Sequence, residues 1–475
     1  MKTKHSRTVS RRTFLATTGM ATLSMAVPTW ANTPPMTREY RLVAKPGETR
    51  LVGDGHPPTA VWSYNGAVPG PEIRVRQGER LRVAVENRLA EETTVHWHGL
   101  RVPNAMDGVP HLTQKPIAPG ETFVYEFGVP DAGTYWYHPH QRGFEQVGRG
   151  LYGPLIVEER DPPMVDRDVT WVLDDWRLLP TAEISGDFGN MHDISHNGRV
   201  GNTVTVNGRV PDTFAVRAGE RIRLRLVNAA NARIFGLEFK DHRPMVVAYD
   251  GQPVEPHEIE GKVIIGPAMR IDLVIDMAGE PGRRFTVTDT FYRSLEYRLL
   301  DLAYEAEPFR RGPAGPVARL DDNTMPEPRM ADAERHEVAF GGGMMGTMRM
   351  AMMGGRQMDM REMMHNGMAW TINGVAAKGH VHEPLLTLAR GRSYVFAMHN
   401  DTAWHHPIHF HGHSFRVVGR DGKPTRHREW QDTVLMAPKE RAEIAFVADN
   451  PGDWMFHCHI LEHQAGGMMG VVRVA

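Results

Sequence analysis

Apolar and polar residues alternate over short stretches that stop at Gly, Pro, Asn or Asp, as in Glu72-Ile73-Arg74-Val75-Arg76 and Arg80-Leu81-Arg82-Val83. A period of two sends successive side chains to opposite faces, so each such stretch predicts a strand with one face on a core. Helical periodicity is rare and turn residues recur at short intervals, which predicts an all-β chain of sandwich type.

The pattern also repeats. Asn65-Gly66 is followed by Ile73-Arg74-Val75-Arg76-Gln77-Gly78-Glu79-Arg80, and Asn207-Gly208 by Phe214-Ala215-Val216-Arg217-Ala218-Gly219-Glu220-Arg221. Asn373-Gly374 leads in the same way to Leu386-Thr387-Leu388-Ala389-Arg390-Gly391. Three Greek-key β-sandwich domains in tandem are expected, at 37–160, 161–310 and 366–475. The stretch 311–365 is rich in Pro and Gly at first and in Met later, and reads as a linker with an insertion.

Length and charge narrow the class. A chain of 475 residues fits several domains, and Lys+Arg 55 against Asp+Glu 57 leaves no bulk field for nucleic acid or an anionic membrane. No long apolar run lies outside the N-terminus, so stable membrane insertion is not expected, and a monomer is. Residues 1–31 read as an export signal ending near Ala31. Ser10-Arg11-Arg12-Thr13-Phe14-Leu15 resembles the twin-arginine motif, which implies the twin-arginine export machinery as a partner and a periplasmic destination. The alternative is a disordered basic tail. Cys458 is the one cysteine, so no intrachain disulfide can form, and the thiol is either a buried apolar group or a metal ligand.

The histidines decide between these. Each repeat closes a strand on an Asn: Asn87, Asn228 and Asn400. His96 and His98 follow the first of these, and His409 and His411 stand at the same offsets from the third. The middle copy has Leu237 and Phe239 there. A later Gly in each outer copy is followed by His138 and His140 or by His457 and His459, where the middle copy has Val287 and Asp289. Residues i and i+2 of a strand share a face, so each pair offers two imidazoles to one side. A single pair is weak evidence for a metal; four pairs at equivalent places in two repeats make a multinuclear site between the outer domains. The middle domain then reads as a spacer. Alternation sends the Cys458 sulfur to the face opposite His457 and His459, where His406, His463 and Met468 complete the donor set of a blue copper centre.

His96-Trp97-His98-Gly99, Tyr135-Trp136-Tyr137-His138-Pro139-His140, His406-Pro407-Ile408-His409-Phe410-His411-Gly412 and His457-Cys458-His459 through His463 and Met468 resemble the four copper motifs of the multicopper oxidases. The resemblance implies cupredoxin-like domains and four copper ions. His406, Cys458, His463 and Met468 would hold type 1 copper, and His96 and His409 type 2. His98, His138, His140, His411, His457 and His459 would hold the type 3 pair. It further implies that electrons from a small reducing substrate enter at type 1 copper and pass through Cys458 and its neighbouring histidines to reduce dioxygen to water. Cuprous ion, Mn(II) and phenols stay open as substrates. A copper-free scaffold of the same fold would show gaps among the ligands, and none is seen. His365, His380, His382, His405 and His413 fit no family position and read as surface, supporting or strand residues.

Asp107, in Met106-Asp107-Gly108, stands where the family often has an acid near the type 2 site; proton relay and plain turn chemistry are both open. Gln464 stands where many relatives have a further acid. Between Met344 and Met368 lie 11 of the chain's 28 methionines. Met344, Met345, Met348, Met352, Met353, Met360 and Met364 are candidates to bind substrate Cu(I), because thioethers are soft donors. An amphipathic Met-lined helix is the alternative, opposed by interrupting glycines.

Overall fold

The computed structural model describes residues 36–259, 261–310, 315–379 and 381–475. The export-type segment 1–31 and His380 lie outside them. Strands dominate, and among the described residues they form three pairs of sheets in chain order and one separate two-stranded sheet. Each pair encloses its own buried apolar cluster, centred on residues such as Leu81, Trp97 and Tyr137, then Leu224, Phe235 and Ile271, then Phe396, Phe410 and Phe456. The chain is thus all-β, built of cupredoxin-like sandwiches.

The sheets carry the sequence repeat. In every sandwich the opening strand runs parallel to the strand that ends on the repeat Asn: Thr37–Thr49 beside Arg80–Asn87, Arg167–Trp176 beside Arg221–Asn228, and Glu334–Gly342 beside Ser393–Asn400. The three asparagines do the same work. Each side-chain amide donates to two carbonyls of the following loops, from Asn87 to Glu91 and Ile117, from Asn228 to Arg233 and Ile265, and from Asn400 to Trp404 and Ala437. In the outer two sandwiches those loops lead into the strands that carry His96 and His98 or His406 and His409, so the Asn fixes where each one starts. The Asn-Gly turns have φ of +58, +52 and +51 at Asn65, Asn207 and Asn373 with φ positive at the following Gly, as a two-residue hairpin requires.

One boundary differs from the sequence reading. Glu334–Gly342 lies within the stretch 311–365 read as linker, yet it pairs with both Ser393–Asn400 and Trp370–Ile372. Its alternation was masked by charged residues at its exposed start and by Gly341 and Gly342 at its end. The Met-rich part forms a hairpin, Met350–Met353 against Arg356–Asp359, and a short helix, Met360–His365, capped by Asp359. The two fold over a small core of Met353, Met358, Met363, Met368, Ala351 and Ala376.

A further apolar cluster, including Trp136, Tyr152, Trp176, Val227 and Leu461, draws on all three sandwiches. This packing fixes the outer two sandwiches against each other.

Candidate metal centre

Two strands from each outer sandwich meet at the site in matching register. His96 stands opposite His138 in the first, and His409 opposite His457 in the third. All eight imidazoles of the four pairs are buried. Rings from the two sandwiches interleave, His98 on His409 at 3.8 Å between centroids and His96 on His411 at 4.0 Å. Two triads, His98–His138–His459 and His140–His411–His457, each bring one nitrogen per ring within 4.8 Å of the others, and each spans both sandwiches. His96, His98 and His409 form another such group.

Hydrogen bonds on the outer side of the rings set the tautomers. A ring nitrogen that faces a carbonyl oxygen must carry the proton, and Nδ1 of His96, His138, His409 and His457 donates to the carbonyls of Asp107, Pro139, Asp432 and Cys458 at 2.7, 3.1, 2.8 and 2.8 Å. Nδ1 of His411 donates to the Asp107 carboxylate, and Nε2 of His98 to Asp432 Oδ1 at 3.1 Å. The inward nitrogens are therefore bare. Nε2 of His96, His140 and His409 and Nδ1 of His98 are buried with no protein partner, and Nε2 of His459 faces Nε2 of His138 at 3.3 Å. Nε2 of His411 lies 3.1 Å from Nε2 of His457, two lone pairs that cannot bond each other. Burial, with the neighbouring imidazoles, holds His98, His138, His140, His411, His457 and His459 well below the usual histidine range, so they stay neutral. Neutral imidazoles with converging lone pairs are a metal-binding donor set.

Cys458 points the other way, into the core of the third sandwich. Its sulfur lies 3.4 Å from Nδ1 of His406 and 3.7 Å from Nδ1 of His463. Nε2 of His406 meets the hydroxyl of Thr402 at 2.8 Å, and Nε2 of His463 donates to the carbonyl of His196 at 2.8 Å, which leaves both Nδ1 atoms free to face the thiol. Met468 is buried in the same cluster, and its carbonyl accepts the Cys458 N–H. Trp370 covers His463 with ring centroids 4.2 Å apart. In the first sandwich Thr93 takes the place of His406 and bonds Gln146, so the repeat keeps the scaffold without the donors.

Asp107 lies in a turn and against the imidazoles. It is buried, its carboxylate holds His411, and its carbonyl holds His96. The turn is equally real: Gly108 has φ +85, and a Cβ there would lie 1.9 Å from the Val95 carbonyl oxygen. Gln464 and His140 line a cavity of about 310 Å³ with His111 and His382. His365 and His382 are exposed, His405 is half-buried, and His413 is buried on Phe410.

The methionine candidates divide. Met344, Met345, Met350 and Met352 are exposed, and Met348, Met360 and Met364 are partly so. Met353 is 5% exposed and faces the small core, so as a candidate copper contact it is corrected: alternation along Met350–Met353 turns Met350 and Met352 outward and Met353 inward. The sequence reading missed Asp432, Thr433, Arg270 and Asp250 around the imidazoles, and Thr402 beside His406. None carries a spacing signal, because Asp432-Thr433, Arg270, Asp250 and Thr402 reach the site from four separate segments of the chain.

One thiol with two imidazoles on one face, and eight imidazoles on the other, make two adjoining groups of donors that could hold metal ions. Multicopper oxidase family models match residues 47–162, 167–309 and 353–475. The multicopper oxidase MmcO of Mycobacterium tuberculosis is 31% identical, over 87% of this chain and 83% of its own. A copper resistance protein A homolog of Pseudomonas syringae pv. tomato is 27% identical, over 90% of this chain and 91% of its own. The solved multi-copper oxidase of Pseudomonas thermotolerans has a TM-score of 0.82 and 34% identity, covering 93% of this chain and 100% of that one. The chain belongs to the multicopper oxidase family. It is an oxidoreductase, copper is its cofactor, and it uses dioxygen and a reducing substrate.

Proposed function

We propose that this oxidase oxidises cuprous ion and reduces dioxygen to water in copper tolerance, with phenols or Mn(II) as the second reading. On this reading four coppers are bound. His406, Cys458, His463 and Met468 hold type 1 copper, and His96 with His409 holds type 2. The two triads, His98–His138–His459 and His140–His411–His457, hold the type 3 pair. Bound copper supplies the one-electron chemistry and the place where dioxygen is reduced. The chain supplies the rest. Cys458 joins the two ligand groups through its own peptide bonds to His457 and His459. Asp107 keeps His96 and His411 in the tautomers that expose their donors, and with Asp432, whose carboxylate is held by Arg270, it is one of two acids in contact with the imidazoles; proton supply falls to Asp107. We also propose domain limits near 160 and 310, a twin-arginine signal cleaved near Ala31, and a periplasmic monomer. Among the described residues no helix is long and apolar enough to cross a membrane.

The observation that carries the cuprous reading is how the Met-rich segment is fastened. Met344 N–H donates to the Ser195 carbonyl at 2.8 Å, and Trp404 Nε1 donates to the Met344 carbonyl at 2.9 Å. His196 follows Ser195 and accepts from His463, and both His196 and Trp404 line a cavity of about 710 Å³. Exposed thioethers therefore begin beside Trp404, which lines this cavity together with His196, and the His196 carbonyl accepts from the fully buried His463. The name of the copper resistance relative is in keeping with this. Replacing Met344, Met345, Met350 and Met352 by Leu keeps bulk and removes the soft donors. Cuprous oxidase kcat/KM should fall while phenol oxidation persists. Unchanged cuprous turnover at low copper concentration contradicts the assignment.

A further inference from the structure

Two of the eight imidazoles are held by one short segment of the third sandwich, Asp432-Thr433. His98 Nε2 meets Asp432 Oδ1 and Thr433 Oγ1, each at 3.1 Å, and His409 Nδ1 donates to the Asp432 carbonyl. What holds this segment in turn comes from the middle sandwich, which contributes no imidazole to the cluster. Arg270 is fully buried and uses all five of its N–H donors. Nη1 and Nη2 grip the Asp432 carboxylate at 2.8 and 2.5 Å, Nη1 also reaches the Ala268 carbonyl at 3.3 Å and Nη2 the Asp250 carbonyl at 3.0 Å, and Nε reaches the Thr134 carbonyl at 3.1 Å. Asp250 completes the hold from the same sandwich. Its carboxylate accepts the N–H groups of Arg270, Asp432 and Thr433 at 2.8, 3.2 and 3.1 Å.

We propose that Arg270 is a positioning residue for the imidazole cluster: its two-pronged grip on Asp432 fixes the orientation and tautomer of His98 and the place of His409. The middle sandwich is then a part of the site, and the spacer reading of the sequence is too small. The physical reason is geometric. A guanidinium matches a carboxylate in one plane through two parallel bonds, so it sets the direction in which Asp432 Oδ1 faces His98, whereas a single point charge leaves that carboxylate free to turn. Thr134 ties the same guanidinium to the first sandwich, so all three sandwiches set one contact. An arginine that served only the interface would need no carboxylate shared with an imidazole.

This inference rests on the assignment of copper to the imidazole cluster, and the experiment separates the two. Wild-type, Arg270→Lys, Arg270→Met and Asp432→Asn proteins are loaded with copper and dialysed against graded chelator. Copper per chain, the blue colour of the Cys458 centre, the electron paramagnetic resonance of the remaining copper and the melting temperature are then recorded. Wild-type protein that holds copper at the Cys458 centre and none at the imidazoles overturns the cluster assignment itself. With that assignment intact, the variants should keep the blue colour and lose copper affinity at the cluster by about 10–100-fold, with a changed resonance of the non-blue copper. Arg270→Lys retains the charge and decides the matter if Arg270→Met does not fold, and Asp432→Asn tests the same contact from its other side. Variants that melt lower but bind cluster copper as the wild type does, with an unchanged resonance, overturn the proposal and leave Arg270 as an interface residue.

Discussion

The carboxylate of Asp107 in the first sandwich lies 3.0 Å from Nδ1 of His411 in the third, so one acid bridges the two halves of the imidazole cluster. The contact orients a ring, and the proposed function adds a second, separable job, supplying protons. Asp107→Asn keeps an acceptor for His411 and removes the acid. It should slow reoxidation by dioxygen about 100-fold or more, the usual scale of general acid catalysis, and leave anaerobic reduction of the blue centre unchanged. Stopped-flow mixing in two stages reads both steps. Normal rates in both would leave Asp107 as an orienting turn residue.

Gly108 sits beside it with φ +85 and no room for a side chain. Gly108→Ala should destabilise the protein by roughly 1–3 kcal/mol through backbone strain, and by more if the Val95 strand cannot yield. It should also lower cluster copper content, since the turn carries Asp107. Thermal melts with metal analysis check both, and a variant with wild-type stability would show that the loop has another conformation available.

Cys458→Ser should abolish the blue colour and oxidation of every substrate, because the proposed function makes the thiolate the charge-transfer donor and the covalent link between the two ligand groups. Burial pushes the free thiol well above its usual range, so metal binding is what makes it a thiolate. Absorption spectra and oxygen uptake measure the outcome. Retention of either property contradicts the assignment.

Met468→Leu conserves volume in a packed core and should cost no more than about 1.5 kcal/mol. Copper should stay bound, and the reduction potential of the blue centre should rise, because loss of a weak sulfur donor disfavours the oxidised metal. A redox titration gives the answer, and a lowered potential would remove Met468 from the axial position.

The buried histidine groups were legible because strand alternation is a strict rule: two His-x-His pairs at equal offsets from Asn87 and Asn400, two more at equal offsets from Gly133 and Gly452, and a cysteine between two histidines leave few alternatives. The boundary near 334 was not, since Glu334–Gly342 hides its core face behind charges and glycines. Arg270 and Asp432 are 162 positions apart and meet only when the sandwiches dock. Met353 differs from Met352 by one step of alternation, which a run of four consecutive apolar residues conceals.

The proposed function requires complete reduction of dioxygen at a copper cluster built from both outer sandwiches. The direct measurement is oxygen uptake against substrate oxidised, with peroxide assayed in the same vessel. Four one-electron equivalents consumed per dioxygen, with no peroxide released, is the predicted result. Two equivalents per dioxygen with stoichiometric peroxide, or substrate oxidation without oxygen uptake, would contradict it.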